Sequence, residues 1–88
     1  MSGEEPGSAG TMEAWLDQVR QAMSTGAVVE LGEVEQMLVL DLARITAHQS
    51  FRKAAPVTAY LVGMALAGLE AGEREARLRE LNRALEES

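Results

Sequence analysis

"DLARITAHQSFRKAAPVTAYLVGMALAG", residues 41–68, decides the fold of this chain, because it holds the end of one helical pattern, a proline, and the whole of a second, uncharged pattern. At about 100° per residue, Val34, Met37, Leu38, Asp41, Leu42, Ile45 and His48 share one side of a helix expected over residues 33–50. Glu33 and Glu35 suit the positive end of that helix. Two polar residues thus lie within an otherwise apolar stripe. Pro56 then marks the first turn of a further helix, where its missing N–H would have no partner and its φ is already helical. The run "VTAYLVGMALAGL" that follows carries no charge, the pattern of a helix enclosed by protein, and is expected to be helical over 56–69. From Ala54 to Leu69 there are sixteen uncharged residues, short of the roughly 20 apolar ones that a membrane span needs. No membrane partner is therefore expected. Ala59, Gly63 and Ala67 recur every fourth residue, a small-residue strip suited to close packing between helices.

Upstream, Thr11 is placed to cap a helix over 12–24, in which Met12, Trp15, Leu16, Val19 and Met23 follow at helical spacing and Gly26 supplies the stop. Trp15, the single tryptophan, is expected in the core. Residues 1–10, "MSGEEPGSAG", carry acids where a signal peptide needs bases and read as a disordered tail before a single helical domain over 11–88. "AVVELGE" has valines but no partner strand, so it is expected to be a connecting loop. Downstream, residues 72–87 are helical by propensity, with acid–arginine pairs such as Glu73 to Arg77 at four-residue spacing. Leu78, Leu81 and Leu85 form a narrow apolar seam that a partner or a second copy could cover. Gly68 and Gly72 each weaken helix continuity, and both a break there and one continuous helix stay open. The fold class is all-α, a small bundle of three to four helices.

Composition bounds the function. The chain has 88 residues, 47% hydrophobic but 3% aromatic, and a domain of this size has a thin core that makes an association surface plausible. Fourteen acidic against eight basic side chains give a net charge of -6, which disfavours nucleic acid because backbone phosphates need clustered Lys and Arg. The absence of cysteine removes disulfides and thiolate chemistry and agrees with a cytoplasmic setting.

The candidate site is the group Asp41, Arg44, His48 and Arg52. Seven helical residues separate Asp41 from His48 by about 10 Å, so the two cannot share a proton as a catalytic dyad. Neither has a second acid or imidazole three or four residues away, so no metal site is expected. Two readings remain. Asp41 could accept hydrogen bonds from the N-terminal N–H groups and Thr58 hydroxyl of the following helix, making these residues a polar lock between helices. Alternatively, the same residues dock a partner. No phosphate loop or nucleophile motif is present, and the chain is expected to be non-catalytic, without a cofactor.

The order "LDLARITAH", Arg52, "AAPVTAYLVGMALAG", over Leu40 to Gly68, resembles a small actinobacterial domain family of uncharacterised function. Its members stand alone or extend the C-terminus of the nucleotidyltransferase that attaches a nucleotide to the molybdenum cofactor. The matching positions are Asp41, Leu42, Ala43, Arg44, Ala47, His48, Arg52, Ala55, Pro56, Thr58, Leu61, Gly63 and Gly68, with weaker agreement at Trp15 and Leu16. Ile45, Thr46 and the charged helix after Gly72 depart from the pattern. The resemblance implies an accessory or adaptor role in molybdenum-cofactor assembly or on a molybdenum enzyme such as a formate dehydrogenase, with a protein as partner. A self-associating helical module is the alternative. Pterin or nucleotide binding through Arg44 and Arg52 is a third reading, opposed by the net charge.

Overall fold

The computed structural model describes residues 10–23 and 30–88; the expected tail, the Gly26 stop and the first part of the valine loop lie outside the described residues. Four helices are present among the described residues: α1 Met12–Met23, α2 Glu33–Gln49, α3 Ala54–Leu66 and α4 Ala71–Glu87. None of the described residues is in a strand. The chain divides into two units, Met1–Glu30 and Leu31–Ser88.

In the first unit the Thr11 hydroxyl accepts the Ala14 N–H at 3.0 Å, satisfying one of the free donors at the start of α1. Arg20 pairs with Asp17 at 2.8 Å one turn earlier. No side chain of α1 is fully buried. Trp15, expected in the core, is half exposed.

The second unit is built on α2, with α3 and α4 each packed along it. Cross-helix bonds run in the same chain order on α2 and α4: Glu35 with Arg74, the Leu38 carbonyl with Asn82, and Gln49 with the Leu85 carbonyl. These two helices are therefore parallel. On α2 the inward positions are Glu35, Leu38, Leu42, Ile45 and Thr46, and α4 answers with Leu78, Leu81, Asn82 and Leu85. The fully buried apolar side chains among the described residues are Leu42, Ile45 and Leu78.

Two short connections set this arrangement. After α2, the Ala54 and Ala55 N–H groups bond the Phe51 and Arg52 carbonyls, so α3 begins at Ala54 rather than at Pro56. Pro56 still falls among the first residues, where no intrahelical donor is lost. The open question at Gly68 is resolved as a break. Leu69 N–H turns back to the Leu66 carbonyl at 3.0 Å, and Glu70 is extended, with ψ 162°. The Arg74 guanidinium then holds the Leu69 carbonyl at 2.7 Å, closing the turn from the α4 side.

The small-residue strip is not a close-packing seam. Gly63 and Ala67 are exposed, and a Cβ added to Gly63 would meet nothing within 4 Å. Only Ala59 of the three turns toward α2, because the inward side of α3 runs through Ala55, Thr58, Ala59, Val62 and Leu66. The expectation that α3 is enclosed by protein also fails. Val57, Tyr60, Leu61 and Met64 are 63–73% exposed on its outer side.

Candidate interaction surface

The polar residues on α2 separate by which way their turns face. Leu38, Leu42 and Ile45 point inward, whereas Val34, Met37, Leu40, Arg44 and His48 are outward and Asp41 sits at the border. The stripe read from spacing therefore straddles two sides. Asp41 and His48 interrupt it because they belong to its outer edge.

Asp41 makes no bond to α3. Its Oδ1 accepts from Arg44 Nε at 3.0 Å and Nη2 at 2.7 Å, and Arg44 Nη2 also reaches Glu86 of α4 at 3.4 Å. The Asp41–Arg44 pair thus faces α4 through Glu86, not the start of α3, and the expected lock to α3 is not formed. Both partners are about half exposed, so this pair adds little to stability, since water screens it. The Asp41 hydrogen bonds and charge hold the Arg44 guanidinium above its usual range. Thr58 is half-buried and lines a small pocket of about 200 Å³ with Ile45, Thr46, Ala54 and Leu85. His48 and Arg52 are exposed, and the structure gives them no side-chain partner among the described residues.

The polar lock that the molecule does contain lies elsewhere. Arg74 grips Glu35 with two nitrogens, Nη2 to Oε1 at 2.9 Å and Nε to Oε2. Glu35 is 4% exposed. A planar guanidinium is the side chain suited to such a fork, which fixes orientation as well as distance. Its hydrogen bonds to Glu35 raise Arg74 above the usual arginine range, against the opposing effect of desolvation. Spacing gave a clue that pointed the wrong way: Glu70 and Arg74 are four residues apart, but Glu70 contributes its backbone carbonyl, accepting the Arg74 N–H at 2.9 Å. Asn82 is a second pin, its Nδ2 donating to the Leu38 carbonyl at 3.1 Å from within the leucine seam.

That seam is turned inward. Leu78 is 2% exposed, and Leu81 and Leu85 are half-buried. Leu81 borders Val62, Ala65 and Leu66 of α3, and Leu85 borders Ile45 and Thr46 of α2 and Thr58 of α3, so the seam faces its own helices rather than forming the free association strip expected from sequence.

What remains outward on α2 is an apolar ridge beside a charge pair. Met37 is 68% and Leu40 56% exposed, and with Leu38, Asp41 and Arg44 they line a shallow hollow of about 530 Å³. Such a surface offers adaptable apolar anchors and one oriented ion pair, the ingredients of protein recognition. It offers poor terms to a phosphate, because Arg44 already bonds two carboxylates. Among the described residues no three His, Asp or Glu side chains cluster as metal ligands, and no helix is long and apolar enough to cross a membrane.

A family model described as Domain of unknown function (DUF6457) matches residues 8–88. No curated protein and no solved structure matches the chain.

Proposed function

The chain belongs to the DUF6457 family, and we propose that it is a non-catalytic accessory protein that docks another protein on the outer side of α2. The observation that carries this reading is the exposure of Met37 and Leu40 beside the Asp41–Arg44 pair. Large apolar side chains left in water cost free energy, and a contiguous patch of them rimmed by charge is the signature of a surface that another protein covers. Methionine fits this role because its unbranched thioether adapts to the partner's shape. His48, one turn beyond Arg44 on the same outward side, extends the polar rim.

The resemblance of Leu40 to Gly68 is what supports setting the partner in molybdenum-cofactor assembly or on a molybdenum enzyme such as a formate dehydrogenase. The test is binding of the purified full chain to a formate dehydrogenase and to a cofactor nucleotidyltransferase, read by calorimetry. Met37→Glu is expected to abolish binding without changing helicity. Equal binding by wild type and Met37→Glu would remove the α2 ridge from the proposal, and no binding to either protein would remove the pathway.

A further inference from the structure

α3 is apolar on both sides, and only one side is used. Its inner residues pack on α2, while Val57, Tyr60, Leu61 and Met64 project from the opposite side at 68, 73, 64 and 63% exposure. We propose that this outer side is the contact of a two-fold symmetric dimer, in which α3 of one copy lies antiparallel against α3 of a second copy.

Three observations select a second copy. The four side chains are symmetric about the midpoint between Tyr60 and Leu61. Reversing the helix about that point sets Val57 against Met64 and Tyr60 against Leu61, a small or branched side chain opposite a long one at each contact. That is the self-complementarity an isologous interface requires. The ends of the helix are also oppositely charged. Arg52 and Lys53 precede α3 and Glu70 follows it; all three are exposed and have no ion-pair partner among the described residues. Antiparallel pairing brings Arg52 and Lys53 of each copy toward Glu70 of the other, whereas parallel pairing would stack like on like. Finally, the area is sufficient. The four exposed side chains offer on the order of 500 Å² per copy, roughly two thirds of the ~800 Å² that each partner supplies to a standard interface. Lys53, Ala67 and Gly68, exposed on the same side, extend it.

This surface is on α3, separate from the α2 ridge assigned to the accessory function, so either proposal can fail alone. The test is sedimentation equilibrium of the full chain from micromolar to millimolar concentration. The expected mass is twice the 9.5 kDa of one chain at the upper end. Tyr60→Glu and Leu61→Glu, which alter side chains already exposed, should keep the helical circular dichroism of the wild type and weaken dimerisation at least tenfold. Lys53→Glu and Glu70→Lys should each weaken it several-fold, and the two together should restore it. A wild type that stays monomeric across the range overturns the proposal and leaves the face to a different protein. Dimerisation undiminished in Tyr60→Glu, or a double charge exchange that is worse than either single one, overturns the interface or its antiparallel sense.

Discussion

Glu35 and Asp41 lie six residues apart on α2 and have opposite fates. Glu35 is buried and held in a fork by Arg74, so its removal strips the guanidinium of its carboxylate partner and leaves it the Leu69 carbonyl. Glu35→Ala should lower the unfolding free energy by about 2–3 kcal/mol, as breaking a largely buried charged pair does. Urea denaturation checks this, with a lower midpoint and an unchanged slope expected. Asp41→Ala, by contrast, should leave the melting temperature close to that of the wild type, because its pair with Arg44 stands in water. Sequence reasoning places Asp41 on a helical side with Leu38 and Leu42 and leaves open a lock to the following helix or a docking role, while it assigns Glu35 only to the first turn. Both arginines are held above their usual range, Arg74 chiefly by Glu35 and Arg44 chiefly by Asp41. A raised arginine contributes its full stabilisation below its unfolded value and loses it only as pH climbs through the raised one. Neither pair therefore makes the bundle sensitive to pH near neutrality through its arginine.

Each helix shows how much its own sequence can say. The bounds of α1, α2 and α4 fall within a residue or so of those expected from caps and spacing, because these signals are local. α3 is the exception in character: its uniform lack of charge shows that it is apolar but not which side another element covers. Gly63 illustrates the consequence. With open space around a Cβ and a helix interior position, Gly63→Ala should stabilise the chain by about 1 kcal/mol, measured by thermal or chemical unfolding. A close-packing strip would predict a loss instead. The seam of α4 reverses in the same way. Leu78→Ala should cost about 3 kcal/mol in unfolding free energy, because it empties a fully buried site between α2 and α4.

The Leu31–Ser88 unit has a thin core, in which Leu42, Ile45 and Leu78 are the fully buried apolar side chains among the described residues, and a broad apolar side of α3 stands in water. A second copy covering that side would stabilise the folded state by mass action, so the melting temperature should rise by several degrees as protein concentration increases about a hundredfold. Differential scanning calorimetry of wild type and Tyr60→Glu separates this from a concentration-independent monomer. The all-α class and the bounds of α1, α2 and α4 are legible along the chain, because propensity, capping and offsets of three or four residues act between neighbours in sequence. The break at Leu69, the partnership of Arg74 with Glu35, and the choice of which apolar side is dry are not. Each depends on residues about forty positions apart meeting across parallel helices, or on the α3–α4 turn that Arg74 closes. An amphipathic pattern states that a side can be buried, and only the number and placement of neighbouring helices determine whether it is.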